Sequence, residues 1–476
     1  MFQVVAVALL VFAFSMIMPI AVGLYFDTGN TADFFYSALI CVFSGALFWL
    51  LGRKNRTTTL VTRQMFLITG GTWFVLPFFA SLPFLLSSTG ISFTDAIFET
   101  VSGITTTGST VLTNLNRTPQ DILLWRSILQ MLGGVGIICM AVAILPFLKI
   151  GGMRLFQTES SHWSDDNAPR AQLLMKFIII VYIVLTMVCA GAYVVSGMGW
   201  LDALNHAMAT MSTGGYATVD ESFINRSLST QWVGVVFMLL ASIPFVLYVY
   251  LLSGKHKLVA RDYQIRGLLL IVTAITLAMT AARYFSGEED LFYLFTTSAF
   301  NVTSVISTTG FASADHTQWG SFCIVLFFFA TFIGGCSGST TGGIKIFRLQ
   351  IYFILFREQL KRAVHPRSAS ALKYNNQIIG DSTIIALSAY IFVLIFTWVV
   401  ITLGLSLTGL DLVTSLTGAA TALMNVGPGL GDVIGPVGNF SSLTDPAKWM
   451  LSVGMILGRL EFLTILILFT PRYWQG

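Results

Sequence analysis

The chain has 476 residues and a formal net charge of +4; 55% of its residues are hydrophobic, only 10% are charged, and its mean hydropathy is +0.79. Soluble globular chains carry roughly a quarter charged residues, so a soluble protein of this composition could not cover its own surface. The small net charge gives no reason to expect a nucleic-acid partner, and the lipid bilayer is the expected environment.

Ten apolar runs approach or exceed the length that crosses a bilayer, which is about 20 residues. The first run follows no basic segment and is longer than the core of a signal peptide, so we interpret it as a retained spanning helix. The predicted spans are residues 3–25, 34–52, 66–88, 123–148, 173–196, 230–252, 265–284, 320–335 with the continuation 344–356, 383–406 and 447–470. The sequence therefore predicts an all-α polytopic membrane protein.

Basic residues are concentrated in alternate connections between these spans. Short cytoplasmic loops carry an excess of Lys and Arg, so the pattern places these connections and both termini in the cytoplasm. The residues concerned are Arg53, Lys54, Arg56, Arg63, Lys149, Arg154, Arg170, Lys176, Lys255, Lys257, Arg261, Arg266, Arg348, Arg357, Lys361, Arg362, Arg367 and Lys373. The opposite connections hold few basic residues: Arg117, Arg126, Arg226, Arg283 and Lys448.

Four of the outward connections contain a short apolar stretch that ends in a small polar run with glycine. Such stretches are too short to span and suit re-entrant segments. The runs align as Thr106-Thr107-Gly108-Ser109, Ser212-Thr213-Gly214-Gly215, Thr308-Thr309-Gly310-Phe311 and Asn425-Val426-Gly427-Pro428. An acid opens each stretch (Asp95, Asp202, Asp290 and Asp411), as expected at a helix N-terminus. The sequence thus predicts four helix–pore loop–helix repeats around one pore, preceded by an N-terminal helix pair.

These repeats indicate a pathway for a monovalent cation. Non-helical backbone at membrane depth is tolerated where it lines a watery cavity, and carbonyl oxygens arranged in a ring can replace the hydration shell of an ion. No ring of carboxylates is offered, which favours K+ over Mg2+ or Ca2+. The predicted K+ selectivity filter, with binding by backbone carbonyls, consists of Thr106, Thr107, Gly108, Ser212, Thr213, Gly214, Thr308, Thr309, Gly310, Asn425, Val426 and Gly427.

Several motifs resemble the TrkH/TrkG/KtrB superfamily of K+ uptake proteins, in particular the proteobacterial TrkH type. They are Thr105 to Gly108, Asn425 to Gly429, Gly334 to Thr340, Gly458 to Glu461 and Phe469 to Pro471. The resemblance implies K+ uptake across the bacterial inner membrane by a homodimer with one pore per subunit. It also implies K+ as the transported ion with no tightly bound organic cofactor, and gating by a cytosolic nucleotide-binding ring of TrkA type.

In this family, selection of K+ over Na+ is linked to glycine at one filter position in all four repeats. The alignment puts Gly108, Gly214, Gly310 and Gly427 at this position. Ser109 follows the first glycine, where alanine is the familiar residue, and this is a minor departure.

The eighth predicted span is interrupted by five glycines within ten residues. They are Gly334, Gly335, Gly338, Gly342 and Gly343. A regular helix tolerates such a run poorly, and a mobile flap under the filter is the favoured interpretation. A kink relieved by Ser and Thr hydroxyls is an alternative. A phosphate-binding loop fits badly, because Ile344 separates Gly343 from Lys345 and no strand precedes the run.

Arg459 lies near the middle of the tenth span, where a charge is costly and usually functional. We predict that its guanidinium donates to loop carbonyls between Gly334 and Gly343. The predicted gate therefore comprises the five loop glycines, Lys345 and Arg459, and the resemblance also implies an intramembrane gate here. An arginine held in a purely structural ion pair is the alternative.

The predicted units are 1–60 for the N-terminal helix pair, then 61–160, 161–258, 259–372 and 373–476 for the four repeats. The main alternative function is a K+ symporter coupled to H+ or Na+, although such folds use inverted repeats and these four share one orientation. An enzyme is not expected, since no catalytic constellation lies at one depth and His206 is interpreted as a lone surface or interface residue. Glu99, Asn205 and Asn301, nine residues before their glycines, either brace the pore helices or face the headgroups.

Overall fold

The computed structural model describes residues 1–53, 62–143, 168–366, 372–375 and 377–475. Five of the basic residues used for the predicted orientation lie outside these ranges: Lys54, Arg56, Lys149, Arg154 and Arg367. The connections between the second and third spans and between the fourth and fifth spans therefore contribute little to the description that follows.

The described part of the chain is mainly helical, as predicted. Its α-helices are Phe2–Ser15, Ile17–Phe26, Thr31–Gly52, Thr62–Ala80, Leu82–Leu86, Phe93–Ile104, Gln120–Ala143, Ala168–Val195, Trp200–Met211, Leu228–Ala241, Phe245–Leu252, His256–Ala260, Tyr263–Phe285, Leu291–Ile306, Ser321–Ala330, Ile346–Val364, Asp381–Leu407, Leu412–Met424, Asp445–Arg459, Phe462–Leu466 and Pro471–Gln475. Two-residue strands, Lys373–Tyr374 and Gln377–Ile378, form the one described antiparallel pair.

Within the described residues, seven helical segments are long and apolar enough to cross a membrane, and the bent pair Leu228–Ala241 and Phe245–Leu252 gives an eighth. The remaining two predicted spans are interrupted. The eighth breaks between Ala330 and Ile346, as the glycine run predicted, and the tenth breaks at Leu460 and Glu461. The architecture of ten spans, some of them broken, agrees with the fold class that the sequence predicted.

The sixth span is not the continuous helix that its composition predicted. Its two halves meet at 89° after Ala241. Pro244 lacks a backbone N–H and its ring disfavours a continuing helix, which accounts for the break. The freed N–H of Phe245 donates to the carbonyl of Gly338 over 3.0 Å, so the bend is joined directly to the glycine-rich loop of the eighth span.

Four short helices lie between pairs of spans, and we call them pore helices 1 to 4. They are Phe93–Ile104, Trp200–Met211, Leu291–Ile306 and Leu412–Met424. The acids at their starts play two roles. Asp290 and Asp411 are N-caps whose carboxylates accept two backbone N–H groups each, whereas Asp95 and Asp202 lie in the first turn. Both arrangements satisfy or complement the positive helix end.

A buried carboxylate attaches the N-terminal helix pair to the first repeat. Asp121 is inaccessible to solvent. Its oxygens accept hydrogen bonds from Thr28 Oγ1 at 2.5 Å and from Asn30 Nδ2 at 3.3 Å. The Asn30 side chain also accepts the N–H of Ser88 at 3.1 Å. The helix pair is thus fastened to repeat 1 by polar contacts as well as by apolar packing.

Candidate ion pathway

The four predicted filter segments, called filter segments below, leave their pore helices with the same backbone geometry. In the first, the N–H of Thr107 donates to the carbonyl of Ser102 over 2.8 Å. The matching bonds join Gly214 to Ala209, Thr309 to Ser304 and Val426 to Thr421. The residue before each donor has a φ between 52° and 56°; these residues are Thr106, Thr213, Thr308 and Asn425. Such left-handed torsions are uncommon outside glycine, so their recurrence identifies the four segments as structural equivalents.

This equivalence corrects the alignment of the second copy by one residue. The glycine with positive φ that follows the shared turn is Gly215, matching Gly108, Gly310 and Gly427. Gly214, which the sequence alignment put at this position, instead matches Thr107. Because Gly214 and Gly215 are adjacent, the amino-acid types alone fit either register. The backbone hydrogen bonds remove this ambiguity and put Gly215, which the sequence alignment did not select, at the filter-glycine position.

The four glycines close a ring by packing against carbonyls of the next copy. A Cβ on Gly108 would lie closer than 3.0 Å to the carbonyl oxygen of Gly214, and corresponding clashes occur around the ring. The other pairs are Gly215 with Thr309, Gly310 with Val426, and Gly427 with Thr107. Copy 1 thus meets copy 2, copy 2 meets copy 3, copy 3 meets copy 4, and copy 4 returns to copy 1. The close approach and the positive φ both require glycine.

Side-chain hydroxyls and one amide link the segments further. Asn425 Nδ2 donates to Thr107 Oγ1 at 3.0 Å and to the Met455 carbonyl at 2.9 Å. Ser109 Oγ donates to the carbonyl of Gly427 at 3.0 Å. The departure from alanine at position 109 therefore supplies a hydrogen bond across the junction between the first and fourth copies.

A cavity of about 290 Å³ opens above the ring and is lined by residues of all four segments. Its charged lining residues in the described chain are Arg126 and Asp220. Glu99 neutralises the charge of Arg126. The carboxylate of Asp220 therefore gives the cavity mouth a negative charge. Burial raises the pKa of the Asp220 carboxyl above its usual value, opposed by the N–H of Leu115, which donates to it at 3.1 Å. A negative cavity mouth attracts cations.

Directly beneath the ring lies the glycine-rich loop, residues 334–343. The N–H of Gly342 donates to Thr308 Oγ1 at 2.7 Å, so the loop touches the third filter segment. A Cβ on Gly342 would collide with the carbonyl of Met424 at the end of pore helix 4. The loop is also bound to the bend in the sixth span, where the N–H of Cys336 donates to Ser242 O at 3.0 Å.

Two basic side chains of the described chain contact this loop. Arg459 is buried, and its Nη1 donates to the Thr340 carbonyl at 2.8 Å, which is the predicted type of contact. Its Nε and Nη2 have no hydrogen-bond partner among the described residues. Lys345 Nζ donates to the carbonyl and to the hydroxyl of Thr341. The loop carbonyls released from helical bonding thus face a guanidinium and an amine.

Glu461 does not pair with Arg459 but with the helix that follows the loop. Its carboxylate accepts Nη2 of Arg348 at 2.5 and 2.7 Å. The guanidinium carbon of Arg348 also lies 3.9 Å from the ring centroid of Tyr390. This ion pair ties the second half of the eighth span to the break in the tenth, and leaves Arg459 available to the loop.

In three copies, a polar side chain on the pore helix accepts a hydrogen bond from the backbone N–H of the residue three positions after the filter glycine. Glu99 accepts the N–H of Val111 at 2.9 Å, and Asn301 accepts that of Ser313 at 3.2 Å. These contacts support the bracing interpretation for both residues. In copy 4 the acceptor is Thr417, which receives the N–H of Leu430 at 3.1 Å.

Asn205, the third predicted brace, bonds within its own helix, to the Leu201 carbonyl at 3.0 Å. The corrected register puts His206 at the place equivalent to Glu99 and Asn301. Of the two alternatives for His206, a surface or an interface residue, the surface one is wrong, since the side chain is fully buried and packs against Phe223 with ring centroids 5.2 Å apart. An alignment anchored on Gly215 would have selected it.

Comparison with known proteins gives matches along the whole length of the chain. A model of the TrkH family, described as a cation transport protein, matches residues 30–475. The Trk system potassium uptake protein TrkI of Halomonas elongata is 46% identical, over 99% of this chain and 96% of that protein. The Trk system potassium uptake protein TrkH of Escherichia coli is 34% identical, over 99% of this chain and 98% of that protein.

A solved structure matches equally completely. The crystal structure of the potassium transporter TrkH from Vibrio parahaemolyticus resembles this chain with a TM-score of 0.91 and 34% sequence identity. The match covers 99% of this chain and 98% of that one.

Proposed function

The chain belongs to the TrkH family of cation transport proteins, and on that premise we propose that it takes up K+ through the ring of four filter segments. The family is one of transporters and not of enzymes, and the chain is a multi-pass membrane protein. The names of the relatives support K+ as the transported substrate.

The observation that carries the proposal is the closed ring of glycine-to-carbonyl contacts between unequal copies. A ring of backbone carbonyls at the ends of four inward half-helices is suited to a partly dehydrated cation, because each helix C-terminus adds negative potential. With the register of the second copy shifted by one residue, its filter residues become Thr213, Gly214 and Gly215 in place of Ser212, Thr213 and Gly214. In each segment, the filter glycine and the two residues before it bind the ion by their backbone oxygens. The filter glycines are Gly108, Gly215, Gly310 and Gly427.

Uptake from a low ionic strength medium containing K+, Rb+ or Na+, into liposomes holding purified protein, tests this function. We expect K+ and Rb+ to enter faster than Na+ and without a second ion gradient. Flux strictly tied to a H+ or Na+ gradient would favour the alternative, a coupled K+ symporter. Equal entry of K+ and Na+ would contradict a K+ filter.

The proposal includes an intramembrane gate made by residues 334–343, Lys345 and Arg459. The loop lies against the third filter segment through Gly342. The buried charge of Arg459 below the filter opposes the entry of a cation. Salt screens a buried charge only weakly. The loop is held by hydrogen bonds to the bend of the sixth span and to the side chains of Gln264, Thr308 and Arg459. These bonds are not part of a helical backbone ladder, so the loop can be displaced without unfolding a helix.

Deleting Ser339 to Gly342 is expected to raise basal K+ flux several-fold, because it removes both the contact with Thr308 and the Thr340 carbonyl that holds Arg459. The measurement is K+ and Na+ uptake into liposomes, with insertion and oligomeric state of the variant checked by size-exclusion chromatography. Loss of flux in protein that still folds and assembles would mean that the loop supports the pore.

We further propose the assembly that the family resemblance implies. It is a homodimer in the bacterial inner membrane with both termini cytoplasmic, controlled by a cytosolic nucleotide-binding ring of TrkA type. The naming of the relatives as parts of a Trk system supports a partner. The division into a helix pair and four repeats, with boundaries near residues 60, 160, 258 and 372, belongs to the same proposal.

A further inference from the structure

The second filter segment is held differently from the other three. In copies 1, 3 and 4, a side chain on the pore helix of the same copy accepts a hydrogen bond from the backbone N–H three residues after the filter glycine. In copy 2 the equivalent residue is His206, whose Nδ1 contacts the carbonyl of Asp202 in its own helix. Its Nε2 has no partner among the described residues. The second segment is reached instead by the helix Gln120–Ala143 of the first repeat.

Gln130 on that helix makes two hydrogen bonds to the second segment. Its Nε2 donates to the Gly214 carbonyl at 2.5 Å, and its Oε1 accepts the N–H of Tyr216 at 3.2 Å. The side chain is fully buried. The same Gly214 carbonyl faces Gly108 of the first copy in the ring. Gln130 therefore fixes a carbonyl that forms part of the junction between copies 1 and 2.

Arg126 lies one turn earlier on the same helix face, since residues four apart are neighbours. Its Nη1 donates to the Ala217 carbonyl at 3.0 Å, and its guanidinium carbon lies 4.1 Å from the ring centroid of Tyr216. Its Nε donates to Glu99 at 2.8 Å with both side chains buried. Glu99 accepts a hydrogen bond from the N–H of Val111, two residues beyond the first segment, so one ion pair connects the backbone that follows the filter segments of two repeats.

We propose that Gln130 and Arg126 are positioning residues for ion selection, which together clamp the second filter segment onto the first repeat. This inference rests on the proposed K+ filter and assigns part of its selectivity to a helix outside the pore loops. A carbonyl held by a buried donor keeps its orientation, because the unpaired alternative is costly at low dielectric. Without the clamp, the second segment can shift toward a smaller ion, and the ring discriminates less against Na+.

The test is Gln130→Met, which keeps the length of the side chain and removes both hydrogen bonds. We expect Na+ uptake relative to K+ uptake to rise about tenfold in liposomes, equivalent to about 1.4 kcal/mol. Gln231→Met is the matched control, because Gln231 is also buried but donates to the Arg226 carbonyl away from the filter. The control should keep the ratio of the parent protein.

Arg126→Lys keeps the charge opposite Glu99 but loses the planar fork that reaches Ala217, so a smaller rise in the same direction is expected. It also serves as the decisive variant if Gln130→Met does not yield folded protein. Parental Na+/K+ ratios in folded Gln130→Met or, failing that, in Arg126→Lys overturn the clamp. A parent protein that shows no preference for K+ contradicts the proposed function itself, so the two failures are distinguishable.

Discussion

Gly427→Ser is expected to remove most of the preference for K+ over Na+, by about tenfold or more, while the chain still inserts into the membrane. A Cβ at this position would lie 2.6 Å from the Thr107 carbonyl oxygen, at the contact that closes the ring between the fourth and first copies. The φ of 104° is also unfavourable for any residue with a side chain. At least one carbonyl must therefore leave its place in the ring. Uptake of K+ and Na+ measured side by side in liposomes gives the ratio.

Gly409→Ser is the matched control for this substitution. Gly409 has a φ of 90° in the same repeat, but a Cβ there meets no atom within 4 Å. Both variants bear backbone strain, and only Gly427→Ser meets the neighbouring filter segment. We expect the control to keep the parental ion ratio. Equal ratios in the parent and in Gly427→Ser would mean that these glycines do not form the filter.

Arg459→Gln is expected to increase K+ flux by an order of magnitude and to leave the K+/Na+ ratio nearly unchanged. Glutamine keeps a donor for the Thr340 carbonyl but removes a buried charge that opposes a cation below the filter. A barrier lowered by about 1.4 kcal/mol gives a tenfold faster rate. The ratio is set higher in the pathway, at the ring, so it should not follow the flux. The readout is initial uptake of each ion at matched protein density.

Arg266→Gln provides the comparison, since Arg266 also donates to a backbone carbonyl, Ala260 O at 2.9 Å, but from an exposed position. Its flux should remain that of the parent. Unchanged flux in Arg459→Gln would leave Arg459 as a structural donor to the loop. A changed ion ratio would instead connect it with the support of the filter.

Local features of the sequence were sufficient for most of the fold. Apolar runs of spanning length, acids at the starts of short helices and a glycine cluster inside one span each have a direct physical meaning, and all three correspond to described elements. The register of the second filter segment could not be predicted from such local features. Gly214 and Gly215 are the same amino acid, and it is the backbone of the structure that distinguishes their places, through the bond from the Gly214 N–H to Ala209 and the positive φ of Gly215.

Contacts between residues far apart in the sequence could not be predicted either. Gln130 occurs in an ordinary spanning helix, and its bond to Gly214 joins residues 84 positions apart. Nothing in its neighbourhood along the chain indicates that partner. The bend in the sixth span had a local signal, Pro244, which an apolar composition outweighed. The pairing of Glu461 with Arg348 likewise depends on how two broken spans meet in three dimensions.

The closed ring also has a consequence for biosynthesis. Its last junction joins residues that are far apart in the polypeptide, as the bond from Ser109 Oγ to the Gly427 carbonyl spans 318 positions. A ribosome delivers the first three copies well before the fourth, and chains fold progressively as they emerge. Until the fourth copy arrives, Gly310 and Thr107 lack their neighbours and no ring of four exists. A nascent or truncated chain therefore cannot form the complete ring, and the ion selectivity proposed for it requires translation to be nearly finished.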